Sequence, residues 1–250
     1  MKERPILFSA PMVLANLAGR KSMTRRVIKN QPSEICGEYY FHHRGKQYKT
    51  GCVDPRQDGS TIYPLEMSRF LLTCPYGVPG DLLWVRETFN WSADDELLPG
   101  ENHKKCPERG GYHADNVVWA ADGVREHPEW GKALWRPSIH MPRWASRSLY
   151  DVLEVRVERL QDITEADAIA EGVELVDHVN GEPLYRDYFE DGYAWSAVES
   201  YKTLWQHLHG FKGPNAWDRN PWVWVVRYAP VSDTIGVGHL DFDRRVMMEP

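Results

Sequence analysis

Between Gly19 and Arg26 the chain reads Gly-Arg-Lys-Ser-Met-Thr-Arg-Arg, which sets four cations and two hydroxyls within eight residues. Side chains of this kind suit phosphate oxygens: Arg20, Arg25 and Arg26 bring charge and forked donors, and Thr24 one further hydrogen bond. Residues 1–30 carry seven basic side chains against one acid, although the net charge of the whole chain is -6, so the basicity is local. A second basic patch runs from Arg136 to Arg147. There Arg136, Arg143 and Arg147 surround Trp144, and guanidinium groups beside an aromatic plane suit a nucleic-acid backbone with a stacked base. Each patch has a plainer reading. The first can be a solvated surface run, and the second a core Trp with arginines at its rim. Glu87, at the end of an expected strand, either faces the same pocket or pairs with an arginine.

Metal and cofactor signals are weak. Cys36, Cys52, Cys74 and Cys106, with His42, His43, His103 and His113, could donate to a structural zinc, but no Cys-x-x-Cys pair brings two of them together. Free thiols and no cofactor are the expectation. The chain lacks the Gly-x-Gly-x-x-Gly fingerprint, the phosphate loop ending in Gly-Lys-Ser/Thr, and the Gly-x-Ser-x-Gly elbow, which argues against dinucleotide enzymes, P-loop ATPases and serine esterases.

The elements that must position these residues follow from pattern. Ser9 and Pro11 start a short helix over about 10–18, which Gly19 stops. Pro79-Gly80-Asp81 turns the chain into a β-prone run from Leu82 that ends near Arg86 or Glu87. A further strand is expected at 116–120. In 149–160, Leu153, Val155 and Val157 alternate with Glu154, Arg156 and Glu158, which predicts a long strand with one face inward. Thr164 and Asp167 form a capping-box pattern before a helix of about 165–171, closed by Gly172. In 194–209, Trp195, Val198, Tyr201, Leu204, Trp205 and Leu208 recur at spacings of three and four, the stripe of a core-facing helix. Residues 221–228 form the last strand. Residues 31–73 and 91–135 are irregular, and 231–250 read as a loose tail. Few short helices among several strands point to an α+β protein of barrel-like fold, organised as one domain over 1–230 with two loop-rich insertions. With 250 residues, 42% hydrophobic and 26% charged, the chain can bury a sizeable core. No apolar run approaches the ~20 residues that cross a bilayer, and the first residues lack a signal peptide's apolar stretch. A cytoplasmic protein with no membrane partner is expected.

The run Leu17-Ala18-Gly19-Arg20-Lys21-Ser22-Met23-Thr24-Arg25-Arg26 resembles the signature of the ASCH family in the PUA-like superfamily. Gly80-Asp81-Leu82-Leu83-Trp84-Val85, the stretch Asp162 to Gly172 and the stretch Trp222 to Arg227 resemble that family's turn, short acidic helix and closing strand, in the same order. Arg4 to Ser9 and Ile139 to Arg147 are similar to ASCH-type proteins of bacteriophages and prophages. The resemblance covers about half of the chain and implies a PUA-like β-barrel. Compact ASCH proteins include amidohydrolases that deacetylate N4-acetylcytidine with a lysine, a threonine and a glutamate, and Lys21, Thr24 and Glu171 match those positions. The resemblance thus implies Thr24 as nucleophile, Lys21 as base, its pKa lowered by burial and by Arg20, Arg25 and Arg26, and Glu171 as the group that orients Lys21 or shuttles protons. Lys21 and Thr24 point oppositely on a straight strand, so the set demands a turn or bulge after Gly19. Other relatives bind RNA or modified bases without chemistry. Binding of RNA, a modified nucleoside or another nucleic acid therefore stands first, deacylation of an N4-acylated cytidine-type nucleoside second, and a phage assembly or host-interaction role without pocket chemistry third.

Overall fold

A computed structural model describes residues 1–35, 38–49, 65–91, 117–123, 126–127, 131–132, 135–190 and 192–231. The strands and helices in chain order are β1 (Glu3–Leu7), α1 (Ala10–Leu17), β2 (Met23–Val27), β3 (Ser33–Ile35), β4 (Glu38–His43), β5 (Lys46–Lys49), α2 (Leu65–Leu71), β6 (Leu82–Arg86), β7 (Phe89–Trp91) and β8 (Val117–Trp119). They continue with β9 (Glu126–His127), β10 (Gly131–Lys132), β11 (Leu149–Arg159), α3 (Glu165–Ala170), β12 (Leu175–Val179), β13 (Glu182–Arg186), β14 (Tyr193–Ala194), α4 (Ala197–His209) and β15 (Trp222–Pro230). The class is α+β, mostly sheet with few helices. None of the described helices is long and apolar enough to cross a membrane.

The sequence reads as one domain, whereas the chain contacts cluster into two compact units made of alternating segments. One unit takes Met1–Leu17, Asp81–Asp151 and Ala229–Pro250, and the other Ala18–Gly80 and Val152–Tyr228. In the first, β1 runs parallel to β6, and β6 pairs antiparallel with the opening residues of β11. Phe89, Val117, Met141 and Ala145 are buried together there, and Trp119 and Trp144 pack on them.

In the second unit β2 pairs antiparallel with β15, and β3, β4 and β5 form a meander. Phe41 of the meander stacks on Phe70 of α2 at 4.6 Å, and Phe70 stacks on Trp224 of β15 at 4.9 Å. On the other face of β15, Val223 and Val225 are fully buried against α3 and α4, with Leu160, Tyr201, Leu204 and Trp205. Each such apolar side chain stabilises the fold by about 1.5–3 kcal/mol. The Ser196 hydroxyl caps α4 by accepting from the Glu199 N–H at 3.1 Å, and the Gly210 N–H closes it on the Gln206 carbonyl at 2.8 Å. Glu165 accepts the Ala197 N–H at 2.7 Å, so the first residue of α3 also satisfies an end of α4.

Several details differ from the sequence pattern, and within 31–73, read as irregular, stand β3, β4, β5 and α2. The basic run Gly19 to Arg26 reads as a loop after the first helix, but its second half belongs to a strand, Met23–Val27. Trp195 is 65% exposed and lies before α4, so the buried stripe runs through Ala197, Ser200, Tyr201, Leu204 and Trp205. On β11 Leu153 points outward, because the buried set steps from Val152 to Val155 instead of alternating through. The expected tail, 231–250, lies outside the described residues apart from Val231.

Candidate functional site

The chain turns at Gly19, which adopts φ +69°, and stays off the sheet until Met23. Backbone bonds hold this segment on both sides: the Ser22 N–H donates to the Ala170 carbonyl at 2.8 Å, and the Ser22 carbonyl accepts the Tyr228 N–H at 2.9 Å. Lys21 is thereby delivered to the C-terminal end of α3, its side chain fully withdrawn from solvent. The ammonium donates to Glu171 Oε2 at 2.7 Å, to the Glu171 carbonyl at 2.7 Å and to the Met23 carbonyl at 2.8 Å. Three protons thus have three acceptors. Burial pulls the Lys21 pKa down; the carboxylate of Glu171 opposes that shift, and Arg26 and Arg25 add to it.

A wider charge network surrounds this pair. Arg25, its side chain also fully buried, donates to Asp167 Oδ2 at 2.7 Å and Glu158 Oε2 at 3.0 Å, and its other nitrogen lies 3.8 Å from Glu171 Oε1. Arg156 donates to Asp167 at 2.8 Å and also bonds Glu158. The Thr164 hydroxyl accepts the Asp167 N–H at 3.2 Å, so the cap that starts α3 also fixes the aspartate carrying two arginines. The Tyr201 hydroxyl donates to Glu171 Oε1 at 3.4 Å, and burial, with Glu171 next to it, pushes the Tyr201 pKa well up.

Thr24 stands differently. It is buried at 2% exposure and sits opposite Val226, while Arg26, next along on the same face, sits opposite Trp224. Strand alternation turns that face away from the one carrying Met23 and Arg25. Among the described residues no group hydrogen-bonds the Thr24 hydroxyl. Lys21 and Glu171 are brought into contact, then, and Thr24 is not part of their hydrogen-bond network.

The residues expected at nucleic acid divide in the same way. Arg20 is exposed and Arg26 half-buried, but Arg25 is engaged internally by three carboxylates. In the other unit Arg147 is an internal partner too. It donates to Glu87 Oε1 and Oε2, each at 2.9 Å, and to Asp122 at 2.8 Å, and its guanidinium lies 4.4 Å over the Trp119 ring. Arg143 pairs with Glu3 at 2.6 Å, Arg136 is half-buried with its backbone bonded to Phe89, and Trp144 packs on the Phe89 cluster. Burial pushes the Glu87 pKa up against the pull of Arg147. Cys74 is buried, and Cys36, Cys52 and Cys106 lie outside the described residues. Among the described residues no group of three or more His, Cys, Asp or Glu is placed to hold a metal.

Sequence reading passed over Tyr201, Glu158 and Arg156 as site residues. Tyr201 looked like one apolar residue of a core stripe. Arg156 and Glu158 had a visible signal, since they share the polar face of β11. In comparisons with protein families, with curated proteins and with solved structures, nothing matches this chain.

Proposed function

We propose that the chain is a nucleobase-binding protein of the ASCH type with a PUA-like barrel, taking a base from RNA or as a modified nucleoside beside the segment Arg20 to Arg26. The observation that carries this reading is the Thr24 hydroxyl, to which no group among the described residues hydrogen-bonds, on the strand face that it shares with the half-buried Arg26. A hydroxyl has one donor and two acceptor positions, and the edge of a base can meet them. Lys21 supports binding as a positioned group, because three acceptors hold its ammonium in place. Titration calorimetry with cytidine and N4-acetylcytidine on wild type and Thr24→Val tests the reading. A loss of about fivefold in affinity is expected, the worth of one neutral hydrogen bond of ~1 kcal/mol. Equal affinities in two equally folded proteins would overturn it.

A second reading, deacylation of an N4-acylated cytidine-type nucleoside, has its own support. Lys21 and Glu171, 150 residues apart, meet at 2.7 Å, and burial lowers the lysine pKa. Release of acetate from N4-acetylcytidine by wild type but not by Lys21→Ala is the outcome this reading requires.

A further inference from the structure

Two hairpins in the second unit use the same turn with different residues. In β12–β13, Val179 pairs with Glu182 across Asn180 and Gly181, at φ +54° and +87°. In β4–β5, His43 pairs with Lys46 across Arg44 and Gly45, at φ +48° and +75°. Two-residue turns with both φ values positive favour Asn-Gly, because a short polar side chain tolerates the left-handed region that a long one does not. The first hairpin follows that preference. The second places an arginine there, and Arg44 is the one residue other than glycine or asparagine with positive φ among the described residues. Strain of this kind persists where the side chain has a task that the backbone preference does not serve.

The surroundings of Arg44 point to that task. Residues 42–49 read His-His-Arg-Gly-Lys-Gln-Tyr-Lys, with no acid, in a chain of net charge -6. Arg44, Lys46 and Gln47 are exposed, and neither Arg44 nor Lys46 has an ion-pair partner among the described residues. The root of the hairpin is rigid: Phe41 is fully buried on Phe70, Tyr48 lies 5.5 Å from Phe70, and Tyr39 meets Trp222 at 5.2 Å. At the same root Arg159 lies over both Tyr39 and Trp222, 5.0 and 4.8 Å from the ring centroids. The β12–β13 hairpin, by contrast, carries Asp177 and Glu182 near its tip.

We propose that β4–β5 is an arm that grips the phosphodiester backbone of a polynucleotide, with Arg44 and Lys46 as the phosphate contacts. It lies in residues 31–73, which the ASCH resemblance does not cover. The arm rests on its own geometry, and only its pairing with a base site rests on the function proposed above. A fixed, solvated, wholly basic tip suits the regular phosphate spacing of a nucleic acid, since charge there is met by counterion release without any reordering of the arm.

The test is fluorescence anisotropy of labelled single-stranded RNA, single-stranded DNA and duplex DNA against salt, using wild type, Arg44→Asn with Lys46→Ala, and Lys212→Ala as a charge control elsewhere. Arg44→Asn restores the favoured turn, so the arm variant is expected to melt no lower than wild type. Its slope of log affinity against log salt is expected to fall by about 1.4 on a single strand, ~0.7 for each lost contact, or by ~0.9 for each on a duplex. Which strand type shows the fall identifies the source of the phosphates. Unchanged slopes, or an equal fall in Lys212→Ala, would overturn the arm; so would arm-dependent binding to phosphatidylserine vesicles with none to oligonucleotides. Arm-dependent oligonucleotide binding that Thr24→Val leaves intact on a free nucleoside as well would keep the arm and remove the base site.

Discussion

Glu87 in one unit and Glu171 in the other are both withdrawn from solvent, at 1% and 3% exposure, and each meets a cation at hydrogen-bond distance. Their partners differ in kind. Arg147 grips both oxygens of Glu87 in a planar fork, and an arginine does not release its proton in a protein. Lys21 touches one oxygen of Glu171, leaving the other to Tyr201 and the more distant Arg25. The first centre is a closed clamp. The second holds a titratable cation whose burial lowers its pKa, among groups that sense its charge. Only in the second can the cation itself give up its proton, although both look alike as buried ion pairs.

The largest expected effect separates them by stability. Arg147→Met leaves Glu87 buried without its fork, and a broken buried pair costs about 3–5 kcal/mol, read from urea unfolding. Exchanging both partners, Glu87→Leu with Arg147→Met, is expected to recover most of that loss, because apolar groups of similar volume replace a buried pair at little net cost. Lys21→Met is expected to cost less, about 1.5–3 kcal/mol for the lost charged hydrogen bonds, since Tyr201 and Arg25 still face Glu171. A larger loss for Lys21→Met than for Arg147→Met would mean that the lysine pair is the main clamp of the molecule.

pH sharpens the same contrast. Between its lowered native value and the ordinary ~10.4, the unfolded chain binds more protons at Lys21 than the native protein, so stability rises with pH through that alkaline window. At Glu87 the raised native value makes the native protein bind more protons, so its penalty is present above that value and is relieved as pH falls toward ~4.3. Lys21→Met should flatten the alkaline rise and leave the acid limb alone, which unfolding measured across pH will show. The smallest effect belongs to Tyr201→Phe, about 0.5–1.5 kcal/mol for one hydrogen bond to Glu171.

Within the second unit α3, α4 and the strands β11 and β15 were legible in the sequence, because their signals are local. Thr164 and Asp167 announced α3, and the spacing of Tyr201, Leu204 and Trp205 largely announced α4. The pairing of Lys21 with Glu171 came through family resemblance, since nothing local joins residues so far apart. β2 was hidden because its inward face carries Arg25, a cation satisfied by carboxylates on β11 and α3, where pattern reading expects an apolar residue. Arg147 was misleading for the same reason: a buried arginine and a phosphate-binding one are the same letter until Glu87 and Asp122 are in place. The Arg44–Gly45 turn lacked the usual Asn-Gly signal of a hairpin, and the unusual residue is what makes it informative.

The long reach of the Lys21 and Arg25 pairs has a consequence in time. Their carboxylates follow 133, 142 and 150 residues later in the chain. At synthesis rates of ~5–20 residues per second, the newborn protein waits roughly 7–30 s for Glu171. Throughout that interval Lys21 stands without its carboxylate partner of the folded protein, and the charge network is completed only as the second half of the polypeptide leaves the ribosome.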